Sequence, residues 1–591
     1  MSEANRKPGR RAPITSIGAS RTGFGWVLLL ILAVTAWRLL VAGLLPVTRD
    51  EAYYFGWASE LAWGYFDHPP GVALVAIGSW LAPGSTLAAR LGAVVLGAAT
   101  LLVLWRLYRA SGLSTDNGLL LAIILALASI PGLIAGIITT PDTVLMLCWP
   151  LALHEGLRAL QGQRRRWLTA GIATGLGLLG KYTMVMIGPI FLWALLRTDP
   201  RALRTPWPYL GALLAFLVFA PNLLWNAQND WLTLRFQFGH GFSTDSGPIR
   251  LAADALPAVT SAHAYALAPP TPMDLGERLS SLAGFVAEQL LFWGLLLVPI
   301  GIALWRTARH ASGSHAGSTR TRRAAEAQVR SHIRSQIAEP GDRNAPVSGA
   351  LDPRAVPLLG AAALFPLGLF ALVALGSEVE ANWAAPYLVG AAPFVALLLQ
   401  RCRSRSGTEQ GRRCAGGWAL LAAGGNLVLI SVYVLHAVTA FPPLPDAAGR
   451  ALRESRGFEE LAAYAARLPE PEPVLADRYQ FAAMLNFYQP QLAVSQWPGI
   501  TRPSEYGRGQ IAPLPDPDRL RQTGFWLLAR KFSPPEITGF ESVETRSLYS
   551  CPDGRFSVVD GAASWEAGGC PNPSNVWRLY RYQAAAAPAV D

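Results

Sequence analysis

The sequence predicts an α-helical polytopic membrane protein of about eleven transmembrane helices with a small α/β domain at its C-terminal end. Three observations predict it. Of 591 residues, 51% are hydrophobic and only 15% charged, and the mean hydropathy is +0.28, values that a water-soluble globule does not need. Long apolar runs recur through residues 24–440, and the arginines gather in loops on alternate sides of them, as positive-inside topology requires. The net charge of +11 is explained by those loops and a basic tail, so it does not point to nucleic-acid binding.

Residues 1–22 are a polar, basic tail (Arg6, Lys7, Arg10, Arg11, Arg21), which places the N-terminus in the cytosol. The apolar run from Phe24 to Leu45 is long enough to cross a ~30 Å hydrocarbon core at ~1.5 Å per residue. No small-residue cleavage site follows it, and Arg38 inside it fits a helix facing protein rather than lipid. Residues 47–86 form the first outer loop. Within it Gly71 to Leu81 is too short to cross and reads as a helix lying along or dipping into the outer interface. Further spans are expected near 87–105, 118–135, 143–160, 168–180, 183–196, 207–224, 281–305, 356–376, 385–400 and 417–440, so that the transmembrane unit occupies 23–440. The short pair 168–180 and 183–196 turns at Lys181-Tyr182. Residues 307–354 are polar and rich in small residues, a mobile cytosolic linker by composition.

This count puts residues 441–591 outside. There a helical pattern at Gly457 to Leu468, strand-like runs at Val474 to Ala476 and Gly524 to Ala529, and frequent Pro and Gly predict a small periplasmic α/β domain. Cys551 and Cys570 would then lie in an oxidising compartment and are expected to pair.

The ionisable residues at membrane boundaries collect on the outer side: Asp50, Glu51, Asp67 and His68 in the first outer loop, Asp142 in the second, Lys181 in the third, and Glu378, Glu380 and Asn382 in the fifth. A phosphate leaving group needs cationic partners, which Lys181 and His68 supply, and a hydroxyl acceptor needs a carboxylate base, which Asp50 or Glu51 supplies. Asp67 and Asp142 are candidates to share a divalent cation, since two adjacent carboxylates repel unless a proton or a cation lies between them. Tyr53 and Tyr54, with Phe55, Trp57, Trp63, Tyr65 and Phe66, read either as an interfacial aromatic belt or as a lining for sugar or isoprenoid. Trp383 joins Glu380 and Asn382 as a lining candidate.

Asp50-Glu51 after the first span, Asp67-His68-Pro69-Pro70, Thr140-Pro141-Asp142, Gly180-Lys181-Tyr182, Pro221-Asn222 with Trp225-Asn226, and Glu380-Ala381-Asn382-Trp383 together resemble the bacterial integral-membrane glycosyltransferases of the GT-C fold. The group includes the protein O-mannosyltransferases and the lipid A aminoarabinose transferases, and the resemblance covers residues 24–440. It implies a polyprenyl-phosphate sugar donor and inverting hexosyl or pentosyl transfer to an envelope lipid, glycan or protein. The reaction would occur at the periplasmic face of the bacterial inner membrane. It also implies a catalytic acidic pair at Asp50 and Glu51 and a metal or polar site at Asp67 and Asp142. Those enzymes carry lysine where this chain has His68, so Lys181 becomes the principal phosphate ligand. A lipid or glycan transporter without chemistry is the alternative. Against it, the ionisable groups crowd one face instead of the midplane, and no repeat is visible.

Overall fold

The structure is a computed structural model that describes residues 19–113, 116–242, 273–314, 350–377, 379–405, 409–442, 450–469, 471–498, 500–514, 516–530, 532–561, 569 and 572–585. Most of the expected linker 307–354, together with Glu378 and Cys570, lies outside these residues.

The first helix, α1 (Ala19–Leu44), is followed by a short α2 (Arg49–Gly56) and by α3 (Gly71–Val75) and α4 (Ile77–Leu81). Then come α5 (Thr86–Ala110), α6 (Asp116–Leu127), α7 (Ile130–Ile134), α8 (Pro141–Leu160), α9 (Arg166–Gly180), α10 (Ile187–Thr198), α11 (Trp207–Gln228) and α12 (Leu232–Phe242). The bundle closes with α13 (Leu275–Leu291), α14 (Leu297–Ser314), α15 (Ala355–Ala374), α16 (Tyr387–Arg405) and α17 (Glu409–Thr439). Helix α8 lies at its centre, packed on α5 and α9, and α9 packs in turn on α11. Every segment marked by hydropathy is helical. Among the described residues, five helices are long and apolar enough to cross a bilayer, or six if α13 and α14, bent by 88° at their junction, form one broken span.

The difference from eleven has physical causes. Helices such as α6 and α10 are only 12 residues long. Helix α8 carries Pro150 and a buried His154 and Glu155, which lower its apolar character. The expected span 281–305 is broken where Gly294 takes a positive φ of 53°. There Asn426 of α17 fills the break, accepting from Leu295 N and donating to the carbonyls of Ala128 and Trp293. The Gly71 to Leu81 segment is two short helices. Helix α3 is buried against α5, α8 and α9, and α4 ends on exposed Trp80 and Leu81.

The C-terminal part adds short helices, including α18 (Arg450–Ser455), α19 (Phe458–Ala465) and α20 (Tyr479–Tyr488), and strands β1 (Val474–Ala476), β2 (Ser495–Gln496), β3 (Phe525–Ala529), β4 (Phe540–Ser550), β5 (Phe556–Asp560) and β6 (Asn575–Ala584). The six strands form one mixed sheet in the order β2-β1-β3-β6-β4-β5, with β1 parallel to its neighbours and β6 antiparallel to β3 and β4. Cys551 is disulfide-bonded.

This part packs on the first loop. Val47, Ala52, Tyr53, Phe55, Trp57 and Tyr65 of the first loop share one apolar core with Phe458, Leu461, Tyr479, Met484, Tyr506 and Trp577. Such a common core means the loop and the sheet region order each other.

Candidate active site

Helix α2 begins at Thr48, whose hydroxyl accepts from Glu51 N at 3.4 Å while the Glu51 carboxylate accepts from Thr48 N at 3.3 Å, a reciprocal cap. That carboxylate is also fully buried against Arg90 of α5: Nε lies 2.8 Å from Oε1 and Nη2 2.6 Å from Oε2. Arg90 further donates to the carbonyls of Ala42, Leu45 and Pro46 at 3.1, 2.5 and 3.0 Å. Thr139 N donates to Glu51 Oε1 at 3.1 Å. Glu51 therefore ties α1, α2, α5 and the 135–140 turn into one knot, and both of its oxygens are occupied by that task. Of the acidic pair, the geometry leaves Asp50 as the exposed carboxylate. Asp50 precedes Tyr54 by one helical turn, so the two share a face of α2. Burial first, then the charges of Asp50 and Asp67, push the Tyr54 phenol well above its ordinary range.

Asp67 is buried, and its charge also acts on Tyr54. It accepts from the Tyr53 hydroxyl and from Arg502 Nη1, the latter at 2.7 Å. The Arg502 guanidinium stacks over Tyr479 at 4.3 Å and Phe236 at 5.3 Å from the ring centroids. Tyr479 is pushed up to about 12 by burial, with Arg502 opposing and Asp50 and Asp67 adding to the rise. Glu505, also from the C-terminal part, accepts from Phe66 N at 2.6 Å, and its own amide donates to the Tyr53 hydroxyl at 3.0 Å. Arg508 pairs with Glu505 at 3.0 and 3.2 Å and donates to Asn229 at 2.9 Å. Burial raises the Glu505 carboxyl above its ordinary 4.5, against the lowering pull of Arg508 and Phe66 N. His68 stands with its ring 6.0 Å from that of Tyr54 and its Nδ1 3.3 Å from Gln237 Nε2. Tyr54 thus has Asp50 one turn before it and His68 beside its ring.

A second cluster sits where α9 stops. Lys181 is extended (φ −153°, ψ 135°), which breaks the helix and turns Nζ to both oxygens of Asp142, at 2.8 and 2.9 Å. Asn382 Nδ2 donates to Asp142 Oδ2 at 2.8 Å. Three residues marked in the sequence, from three different loops, thereby meet. The first loop is pressed onto this point, since a Cβ on Gly71 would stand 2.7 Å from Leu179 O and 2.9 Å from Gly180 Cα. Asn222 holds the same loop by donating to Trp63 O at 2.7 Å and accepting from the Tyr182 hydroxyl at 2.9 Å. Not every marked residue joins. Trp383 packs on Phe370, centroids 5.7 Å apart, and Glu380 is exposed.

The metal expectation does not fit. Asp67 and Asp142 are each neutralised by their own cation, Arg502 and Lys181. Among the described residues no group of three or more His, Cys, Asp or Glu side chains is placed to hold an ion. Sequence reasoning passed over Arg90, Arg502, Glu505 and Arg508. Arg90 alone carried a legible signal, an arginine inside an apolar run.

Residues 67–225 match the family described as dolichyl-phosphate-mannose-protein mannosyltransferase. A lipid A galacturonosyltransferase, RgtD of Rhizobium johnstonii, is 28% identical over 219 residues, 35% of this chain and 45% of that protein. The chain therefore spans less than half the length of the curated relative it matches. The crystal structure of ArnT from Cupriavidus metallidurans in the apo state superposes with a TM-score of 0.52 at 13% identity, covering 95% of this chain and 98% of ArnT. The chain has the GT-C fold. The same ArnT bound to undecaprenyl phosphate superposes with a TM-score of 0.51 at 14% identity, covering 94% and 98%. The likeness to ArnT extends over the sheet region as well as the helical bundle, since the superposition covers 95% of this chain.

Proposed function

We propose that the protein is an inverting glycosyltransferase that moves a hexosyl or pentosyl unit from a polyprenyl-phosphate donor to an envelope lipid, glycan or protein at the periplasmic face of the inner membrane. The observation that carries this reading is the separation of tasks at the loop end of the bundle. Glu51 is consumed by Arg90, whereas Asp50 is an exposed carboxylate beside Tyr54, and the cations Lys181 and Arg502 are held in place by buried or half-buried acids. The GT-C fold and the glycosyltransferase relatives support it.

Asp50 accepts the proton of the acceptor hydroxyl as its oxygen attacks the anomeric carbon from the face opposite the phosphate. The bond from that carbon to the phosphate oxygen breaks, and the lipid phosphate departs with the electron pair. Lys181, with Asn382 fixing Asp142 behind it, and His68 stabilise the charge that grows on the phosphate. Tyr53, Tyr54 and Tyr479 wall the space from water.

The test is reconstitution of the full chain in lipid vesicles with a radiolabelled polyprenyl-phosphate sugar and total envelope acceptors. Label should leave the carrier and appear on an acceptor, the new glycosidic bond having the anomeric configuration opposite to the donor's. Label that crosses the vesicle membrane still attached to its carrier, with no transfer, would establish the transporter reading instead.

A further inference from the structure

Arg38 lies six residues before the end of α1 at Leu44, ~9 Å below it at 1.5 Å per residue. Its side chain is 2% exposed. The surroundings are shaped to admit it. A Cβ on Gly97 would stand 2.7 Å from Nη1, and one on Gly136, which takes φ +82°, would stand 3.0 Å from Cζ and Nη1. Two glycines from separate segments therefore form a cradle that only a missing side chain leaves open.

The guanidinium is not balanced. Nη2 donates to Gly132 O at 3.1 Å, but Nε and Nη1 are buried without a hydrogen-bond partner among the described residues. It lines a cavity of about 40 Å³, and no acid lines that cavity with it. The hydroxyls that do are already turned to backbone carbonyls: Thr100 to Leu96, Ser129 to Ala126 and Thr143 to Ile138. An uncompensated charge at this depth is costly, whereas a small cavity that holds more than one water has room for a compact ion.

We infer that this cavity is a binding site for one small inorganic anion of chloride size, held by Nε and Nη1 of Arg38. The roof of the site is the 135–143 segment, which also supplies the Thr139 amide to Glu51 and carries Asp142. Anion binding therefore braces the turn from which Asp142 reaches Lys181. The inference is independent of the glycosyl-transfer reading.

The deciding experiment is crystallisation of the full-length protein from bromide in place of chloride. An anomalous peak beside the Arg38 guanidinium is expected, and its absence would overturn the site in favour of a merely hydrated cavity. In detergent, the thermal midpoint should rise by about 3 °C from sodium gluconate to chloride well above its dissociation constant. Arg38→Met should abolish that response, and a full response in this variant would overturn the assignment. Should Arg38→Met fail to fold, Arg38→Gln keeps a polar side chain in the cradle without the charge and should likewise lose the chloride response; a full response in that variant would overturn the site.

Discussion

Replacing Glu51 by Gln should unfold the protein more easily without touching the reacting groups. The side chain keeps its shape, but Arg90 loses its anionic partner while fully buried. It retains three backbone carbonyl acceptors and the single amide oxygen of the glutamine, whose NH2 now faces a donor. Breaking a buried pair from one side costs about 3–5 kcal/mol, because the surviving charge stays out of water. Arg90→Met should cost a similar amount for the opposite reason. The double variant Glu51→Gln with Arg90→Met should be more stable than either single one, since no charge is then stranded. Thermal unfolding followed by tryptophan fluorescence in detergent reads all three, and a drop of about 5 °C or more is expected for each single variant. Asp50→Asn should keep the native midpoint to within about 1 °C and lower transfer by roughly 10²- to 10⁴-fold. If Glu51→Gln instead melts like the native protein and loses transfer, the division of labour between the two acids is wrong.

Lys181→Met should reduce transfer by about 100-fold or more in the vesicle assay, and it should also loosen Asp142, visible as lost protection of the α8 N-terminus in hydrogen exchange. Arg502→Met strands Asp67, which is 5% exposed, beside Tyr53; because Arg502 itself is 34% exposed, the loss is discounted to about 1–3 kcal/mol, measurable as a lower midpoint. The Glu505 carboxyl is raised by burial, so the folded state holds its proton more tightly than the unfolded chain does. Its contribution is fully present below the ordinary value of 4.5 and is lost as pH rises through the raised value; Glu505→Gln should flatten the fall of the thermal midpoint over that window. Gly71→Ala drives a Cβ into the Leu179 and Gly180 backbone, which no rotamer change relieves, and about 1–3 kcal/mol of stability should go with it.

The sequence was most legible where one local rule decides. Apolar length marked the helices α1, α5, α11, α15 and α17, each long and apolar enough to cross a bilayer unbroken. The break at Lys181 was readable because a polar pair interrupts two apolar runs. The meeting of Asp142, Lys181 and Asn382 was legible only as shared loop placement, since their hydrogen bonds link positions 39 and 240 residues apart. Glu51 defeated the reading for a physical reason. An acid next to Asp50 looks the same in sequence whether its partner is an acceptor or a buried arginine 39 residues on. Arg502 and Glu505 escaped for want of any local pattern, their partners lying on the far side of the whole helical bundle in sequence.

That separation has a consequence for how the protein is made. Asp67 and Arg502 are 435 residues apart, and at ~5–20 residues per second of synthesis roughly 20–90 s pass between the birth of one and of the other. During that interval the first loop carries Asp67 and the apolar faces of Tyr53, Trp57 and Tyr65 with nothing to cover them. A ribosome that stalls, or a protease that clips the last third of the chain, leaves an inserted bundle whose first loop is unfinished. The assembled site is in effect a certificate that translation ran to completion.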